Sequence, residues 1–285
     1  MIIVTGANGK LGREIVESLL TRVPASQIGV SVRKPEEASG FAARGVRVRA
    51  GDFADAGSLA WAFEGASQLL LISSNSSGDA AVTHHRNAIE AARAAGAERI
   101  VYTSQMGSNP RSPFGPMPDH AATEALLAES DGAFISLRNG FYTASGMMLL
   151  GNALETGELV APADGPVAWT AHSDLAEVAA LALTGDALDG ITPPLTASET
   201  LDLAGIAAIA GEMNGKTIRR VVVSDEEFVA RMVARGVPDE RAAFVLGMFE
   251  AMRNGEFAAL DPTLGYLLGR APLSVRDVVA SSIAA

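Results

Sequence analysis

The first residues that could do chemistry form a glycine-rich turn near the start of the chain. The run is Gly6-Ala7-Asn8-Gly9-Lys10-Leu11-Gly12, and it follows a short apolar segment and precedes a helical pattern. Gly6 suits a tight turn, Gly9 leaves room for a diphosphate against the backbone, and Gly12 allows the helix to pack closely on the strand. Free N–H groups at a helix start attract phosphates. The run therefore predicts a dinucleotide-binding turn, and the alternative is a turn with only a structural role.

The residues after the second predicted strand indicate which dinucleotide binds. The strand Ile28–Val32 is followed by Arg33 and Lys34, and no carboxylate occurs before Glu36. A carboxylate at the strand end would bind the ribose 2′-hydroxyl of NAD, whereas a guanidinium pairs with the 2′-phosphate of NADP. We therefore expect NADPH as the cofactor, with Arg33 and Lys34 at the 2′-phosphate. The alternative is a pair of solvated charges.

Polar residues follow several other predicted strands. Ligands in open α/β sheets bind beyond the carboxyl ends of the strands, so these residues are expected to line the same edge. Asp52 could meet the adenine amine and Phe53 the adenine edge. Small polar residues after the fourth strand suit a ribose, and Asn139 follows the sixth. The further cofactor-binding candidates are Asp52, Phe53, Ile72, Ser73, Ser74, Asn75 and Asn139.

Two side chains are candidates for the chemistry itself. Tyr142 could stack on the nicotinamide or donate a proton, although a packed aromatic residue between two lobes is an equal alternative. His120 could supply a proton near neutral pH, and its alternative is a surface histidine at a helix start. His172 lies in a segment that could line a substrate cleft, and a core or surface role is an equal alternative. The sequence predicts no metal site, since the chain has four histidines and no cysteine.

Strand-like and helix-like segments alternate through the first half of the chain. This order is typical of βαβ units, and it predicts an α/β fold with a Rossmann-type parallel sheet flanked by helices. Ser58 and Ser173 are predicted to cap helices. Glycines and prolines interrupt the pattern after about residue 141. We therefore expect an NADP(H)-binding domain over residues 1–140 and a smaller α/β substrate-binding lobe over 141–285, with some segments of that lobe returning to the first domain.

Composition limits the classes of function. The chain has 285 residues, 48% of them hydrophobic, and a net charge of −11. Such a chain can build a sizeable core. Its negative net charge repels phosphates, which argues against a general nucleic-acid binder. No apolar run reaches the length of about 18 residues that a membrane span needs, and no leader pattern is seen. We therefore expect a cytoplasmic protein with no nucleic-acid or membrane partner.

Several stretches together resemble the NmrA-like branch of the atypical short-chain dehydrogenases. Within that branch the chain is most similar to the type 2 NADPH-dependent quinone oxidoreductases and the triphenylmethane reductases. The stretches are densest over residues 1–145, and they are Thr5–Gly12, Val23-Pro24-Ala25-Ser26-Gln27-Ile28, Val32-Arg33, Leu70–Ser74 and Leu137-Arg138-Asn139-Gly140.

The resemblance implies NADPH held by the glycine turn, Arg33, residues 73–75 and Asn139, with hydride transfer to a quinone-like molecule in a cleft between lobes. The expected partners are that small molecule and a second copy of the chain. The family's Tyr-x-x-x-Lys motif is absent, and Ala125 stands where relatives often carry a lysine. These departures leave an alternative open, namely an NADP(H)-binding redox sensor with little or no catalysis.

Overall fold

A seven-stranded parallel sheet forms the centre of the molecule. The computed structural model describes residues 1–284, and its strand order is β10-β6-β5-β4-β1-β2-β3, with every pairing parallel. Four short strands make two further pairs, β11 with β8 and β7 with β9. The strands are β1 Ile2–Thr5, β2 Ile28–Val32, β3 Arg47–Ala50, β4 Gln68–Leu71, β5 Arg99–Gln105, β6 Ala133–Asn139, β7 Phe141–Tyr142, β8 Glu158–Pro162, β9 Trp169–Thr170, β10 Gly190–Ile191 and β11 Arg219–Val223.

Helices cover both faces of the sheet and build most of the remaining chain. They are α1 Lys10–Leu20, α2 Ser39–Ala42, α3 Ala56–Phe63, α4 Asp79–Ala94, α5 Pro116–Glu129, α6 Thr143–Leu149, α7 Ala153–Thr156, α8 His172–Thr184, α9 Leu203–Met213, α10 Asp225–Ala234, α11 Asp239–Arg253, α12 Thr263–Leu268 and α13 Val275–Ala284. Within residues 1–284, no helix is both long and apolar enough to span a membrane. The predicted Rossmann-type α/β fold is confirmed.

Burial on both faces explains why the residues of β1 and β2 are mostly apolar. All residues of β1 and β2 are buried. On one face α1 and α8 pack together over the sheet, and on the other α3, α4 and Leu127 of α5 do so. The apolar positions of α1 recur at helical spacing, so one stripe of that helix faces the sheet. The two layers hold the strand ends in fixed positions.

The order of the strands reverses between β1 and β4. From β1 the chain builds outward through β2 and β3, and then returns to place β4, β5 and β6 on the other side. The helices that follow β1 and β4 lie on opposite faces, which opens a crevice beyond the carboxyl ends of these two strands. This crevice is where a ligand is expected.

The chain after residue 140 contributes to two regions. β10 pairs with β6 and α8 packs on α1, so both elements belong to the sheet and its helical layer. A third apolar cluster gathers side chains from α9, α11 and α13 around Trp169, which is 1% exposed. The other tryptophan of the chain, Trp61 of α3, lies outside this cluster. It is 58% exposed, and the Arg49 guanidinium lies 3.8 Å from its ring centroid. The division of the chain at residue 140 stays a prediction.

Two predicted helix caps are wrong. Asp55 caps α3, because its carboxylate accepts the N–H groups of Gly57 and Ser58, and Ser58 instead donates to the carbonyl of Asp55. A charged acceptor at a helix start gains from the helix dipole. α8 begins at His172 after Ala171 and has no side-chain cap, so Ser173 lies inside its first turn.

Candidate functional site

The glycine turn joins β1 to α1 with its backbone exposed to the crevice. Gly6 has a φ of +64°, which favours glycine, and the Gly9 N–H donates to the Gly6 carbonyl at 3.0 Å. A Cβ on Gly12 would lie 2.4 Å from the Gly6 oxygen, so only glycine allows this close approach of helix and turn. α1 has no side-chain N-cap. Its first-turn N–H groups are therefore available to an anion.

Side-chain contacts fix the turn after β2 against the glycine turn. The Asn8 amide donates to the Lys34 carbonyl at 3.0 Å, and Arg13 donates to the carbonyls of Asn8 and Glu37. Lys34 pairs with the Glu37 carboxylate at 3.0 Å, a hydrogen bond that raises the pKa of Lys34. Arg33 is exposed and, within residues 1–284, makes no hydrogen bond or ion pair. Its guanidinium is thus free for a ligand, whereas the ammonium of Lys34 is already engaged.

A cavity of about 690 Å³ opens at these two turns. Eleven of the predicted cofactor-binding residues line it, namely Gly6, Asn8, Gly9, Arg33, Lys34, Asp52, Phe53, Ile72, Ser73, Ser74 and Asn75. Ala7, Leu11 and Gly12 are buried within the glycine turn, and Lys10 is exposed beside it. The residues that lie at separate strand ends in the sequence are therefore brought together at one edge of the sheet.

The loop between β4 and α4 forms one wall of this cavity, and buried side chains hold it from below. The N–H of Ser73 donates to Thr103 Oγ1 at 3.0 Å, and the N–H of Ser74 donates to His85 Nε2 at 2.8 Å. His84 Nδ1 lies 3.2 Å from the hydroxyls of both Ser74 and Ser76. The adjacent histidines of α4 therefore contact the same loop from two positions. The sequence gives no sign of this role, because the histidines lie 8 to 11 residues from the serines that they contact.

A second cavity of about 460 Å³ adjoins the first and shares the loop Ser73–Ser76 with it. α5 contributes Asp119 and His120 to its lining, and α11 contributes Glu240, Arg241 and Phe244. The Arg241 guanidinium lies 4.8 Å from the centroid of the Phe244 ring. No pattern in the sequence pointed to α11, since its approach to the sheet depends on the fold of the later part of the chain.

His120 stands at the start of α5 with its ring against β5. Its Nδ1 lies 2.7 Å from the hydroxyl oxygen of Tyr102. Burial lowers the pKa of His120 to about 4 and that of His85 to about 3, so both rings are neutral at pH 7. His120 Nε2 has no hydrogen-bond partner among residues 1–284. A neutral imidazole facing a cavity can donate or accept a hydrogen bond, depending on its tautomer.

The end of β6 carries a dense polar network beside Asn139. The Glu124 carboxylate, 5% exposed, pairs in bidentate fashion with Arg138 and accepts the hydroxyls of Ser104, Ser108 and Ser136. Burial would raise the pKa of Glu124, but the hydrogen bonds from Arg138 and the serines outweigh it and lower that pKa. The network ties α5 to β5 and β6. It therefore fixes the strand end from which Asn139 projects.

Asn139 and Tyr142 are not among the residues that line the two cavities. Asn139 is 2% exposed, and its Oδ1 atom has no hydrogen-bond partner within the described chain. The Tyr142 ring packs on His172 at a centroid distance of 4.2 Å. Burial raises the pKa of Tyr142, so its phenol keeps its proton. Ala125 is exposed on α5, so a lysine there would stand on the outer face of that helix.

The residues present fit a phosphorylated dinucleotide. The glycine turn offers backbone N–H groups for a diphosphate, and Arg33 offers an unpaired guanidinium for a third phosphate. The Asn139 Oδ1 atom is a buried acceptor without a partner in the described chain, but it lines neither cavity. Within residues 1–284, no cluster of three or more histidine or carboxylate side chains could hold a metal ion.

Comparison with known proteins gives consistent similarities along the whole chain. A family model described as NAD(P)H-binding matches residues 6–186. Quinone oxidoreductase 2 of Escherichia coli strain K12 is 35% identical over 281 residues, which cover 98% of this chain and 98% of that protein. The crystal structure of the NADPH-dependent quinone oxidoreductase from Escherichia coli in complex with NADPH aligns with a TM-score of 0.93 at 33% identity, over 99% of this chain and 100% of that one. That of Citrobacter sp. triphenylmethane reductase with NADP(H) aligns with a TM-score of 0.89 at 32% identity, over 99% of this chain and 100% of the other.

Proposed function

This chain belongs to the NAD(P)H-binding family, and on that premise we propose that it is an NADPH-dependent oxidoreductase acting on quinones or similar electron-poor aromatic acceptors. The similarity to a quinone oxidoreductase and to a triphenylmethane reductase, each over 99% of this chain, supports an enzyme of this type. Both relatives are named for the reduction of aromatic or quinone-like molecules. The expected partner is accordingly a small quinone-like molecule.

One observation carries the proposal, namely that two cavities share a wall. The cavity with the glycine turn and Arg33 suits a phosphorylated dinucleotide, and the adjoining cavity with His120 and Phe244 suits a flat acceptor. Residues 73–76 line both, so a cofactor extending along this loop reaches the second cavity. Hydride transfer needs donor and acceptor held in contact, and adjoining cavities provide that proximity.

The residues around the first cavity would bind and orient the cofactor. The N–H groups at the start of α1 would hold the diphosphate, and Arg33 would pair with the 2′-phosphate. Asp52 and Phe53 would meet the adenine. When bound, NADPH supplies a hydride, that is two electrons and one hydrogen nucleus, and becomes NADP⁺ while the quinone carbonyl is reduced.

His120 is the candidate that contacts the acceptor. A neutral imidazole N–H directed at the carbonyl oxygen would stabilise the negative charge that develops there as hydride arrives. The quinol oxygen then takes its proton from water, so that a quinone, a hydride and a proton give the quinol. Tyr142, packed on His172, would cover the nicotinamide with its ring. This scheme needs no Tyr-x-x-x-Lys motif, because quinones accept hydride readily.

Steady-state turnover tests the proposal directly. Purified protein is mixed with NADPH and a small panel of benzoquinones and naphthoquinones, and the absorbance of the reduced nicotinamide is followed. We expect oxidation of NADPH that depends on enzyme, on quinone and on their concentrations. Tight binding of both NADP⁺ and NADPH with no turnover of any acceptor would refute the enzyme and favour a redox sensor.

A further inference from the structure

Tyr102 is a buried tyrosine in the middle of the sheet with its hydroxyl group next to the candidate site. It lies in β5 and is 0% exposed, and its hydroxyl oxygen is 2.7 Å from Nδ1 of His120. The proposed chemistry uses His120 but leaves Tyr102 without a role. A hydroxyl buried in a core costs free energy unless its hydrogen bond compensates, so a purely apolar phenylalanine would serve packing at least as well. The hydrogen bond between the Tyr102 hydroxyl and His120 Nδ1 therefore indicates a role for Tyr102 beyond packing.

We propose that Tyr102 is a positioning residue, whose buried hydroxyl donates to His120 Nδ1 and so holds the imidazole in the tautomer that presents Nε2–H to the acceptor cavity. The inference rests on the proposed function, since it specifies how the acceptor oxygen is met. It assigns Tyr102 no contact with the acceptor or with the cofactor. The residue acts through the ring of His120 alone.

Both groups of the pair are neutral at pH 7, and the tautomer that we assign to His120 sets the direction of the hydrogen bond between them. Burial raises the pKa of the Tyr102 phenol far above its ordinary value, and it lowers that of His120. A phenol that keeps its proton is a good donor, and the lone pair of a neutral imidazole is a good acceptor. When Nδ1 accepts, the single proton of the neutral ring must lie on Nε2. That nitrogen has no other partner within residues 1–284, and His120 lines the cavity.

Proton transfer along the pair is unfavourable, which distinguishes positioning from a relay. Passing the phenol proton to His120 would leave a phenolate in an apolar interior, and the raised pKa of Tyr102 expresses that cost. The hydroxyl therefore gains and loses no proton during the reaction. The proton that completes the quinol comes from solvent, and His120 supplies a fixed hydrogen bond.

A second histidine holds Tyr102 in place. The ring of His85 meets that of Tyr102 edge to face, with centroids 5.4 Å apart and planes at 63°. His85 has a defined tautomer, because its Nε2 accepts the N–H of Ser74 and its Nδ1 must then donate to Thr123 Oγ1 at 2.7 Å. The Thr123 hydroxyl in turn donates to the carbonyl of Asp119 at 2.8 Å. The same cluster thus supports both the shared loop and the ring that holds His120.

The tautomer of His120 can be measured without any variant of Tyr102. The chain has four histidines, so two-bond ¹H–¹⁵N correlation spectra of ¹⁵N-labelled protein at pH 7 contain few ring signals. The His120→Ala variant assigns the signals that disappear. We expect His120 to show a protonated Nε2 and an unprotonated Nδ1. A protonated Nδ1 with an unprotonated Nε2 would overturn the inference, whatever the enzyme turns over.

Kinetics of Tyr102→Phe give the second test, with Tyr266→Phe as its matched control. Tyr266 is 85% exposed in α12, so loss of its hydroxyl should change nothing. For Tyr102→Phe we expect a fall in kcat of about tenfold, the size of one lost hydrogen bond, with the KM for quinone and the Kd for NADPH within about twofold of the parent. His120→Ala and the double variant should have equal kcat values, because Tyr102 acts only through His120.

The outcomes separate this inference from the proposed function. No quinone turnover by the parent protein refutes the function, yet the spectra still decide the tautomer. Turnover with a parent-like kcat in Tyr102→Phe refutes the positioning role and leaves the function intact. Circular dichroism and NADPH binding show whether the variant is folded. If Tyr102→Phe is folded and lowers kcat by the same factor in the parent and in His120→Ala, the role of Tyr102 is only structural.

Discussion

At the scale of single residues, local spacing carries some roles and hides others. The roles of Arg33 and the glycine turn can be predicted because each directly follows a strand that the sequence indicates. The pairing of Tyr102 with His120 is not readable in this way. It joins a strand to the following helix, and its 2.7 Å distance depends on how α5 packs on β5. Sequence alone left His120 as either a proton donor or a surface histidine.

Arg33 should decide between the two nicotinamide dinucleotides. In Arg33→Ala, we expect the Kd for NADPH to rise by about one to two orders of magnitude while that for NADH changes little, since only NADPH carries the 2′-phosphate. Calorimetric titration with both cofactors measures this. Arg44→Ala is the control, because Arg44 pairs with Glu17 on the surface. Equal weakening of both cofactors would contradict the assignment of Arg33.

At the scale of elements, the strands were predicted closely and the helix starts less well. The bounds of β2 match the predicted strand Ile28–Val32, because strands buried on both faces are mostly apolar. The caps of α3 and α8 were misassigned, since a serine near a helix start has the same appearance inside the first turn as at the cap. The polar network of Glu124 was also invisible, because it joins three elements.

The junction of the glycine turn with α1 should tolerate no side chain at Gly12. A Cβ there would meet backbone atoms at 2.4 and 2.8 Å, so Gly12→Ala should lower the free energy of unfolding by about 1–3 kcal/mol and weaken NADPH binding. Urea titrations measure the first effect. Gly40→Ala in α2 is the matched control, because its Cβ would meet nothing within 4 Å and alanine favours a helix. Equal stability of the two variants would contradict the packing argument.

At the scale of the whole molecule, the fold buries neutral histidines at two places, with His85 and His120 together against Tyr102 and His172 against Tyr142. His85 lies between α4 and β5, His120 between α5 and β5, and His172 at the start of α8. Composition and periodicity predicted the parallel sheet and the helices on which these histidines lie. They did not predict the burial, because a histidine in a sequence gives no sign of which neighbours will cover it.

This burial makes stability depend on pH between about 5.5 and 7. Burial lowers the pKa of His85 to about 3 and those of His120 and His172 to about 4. Below the ordinary value near 6.5 the unfolded chain takes up protons that the folded chain does not. The free energy of unfolding should therefore fall with falling pH, by about 1 kcal/mol per pH unit for each such histidine.

Urea unfolding at several pH values from 5.5 to 7.5 measures this slope. His85→Gln removes one of the buried imidazoles while an amide oxygen remains to accept the Ser74 N–H. Its slope should be shallower than the parent's by about one proton. A parent stability that stays constant across this range would show that the histidines titrate alike in both states.

The two tryptophans have contrasting surroundings, so their intrinsic fluorescence reports separately on the sheet and on the Trp169 cluster. Trp61 stands in water beside a guanidinium on the sheet side, whereas Trp169 is enclosed in the later part of the chain and its indole N–H donates to the Leu201 carbonyl. Acrylamide should quench the emission of the first and spare the second. Exposed Trp61 emits at longer wavelength than buried Trp169. Unfolding followed at both wavelengths therefore shows whether the sheet and the Trp169 cluster unfold together or one after the other.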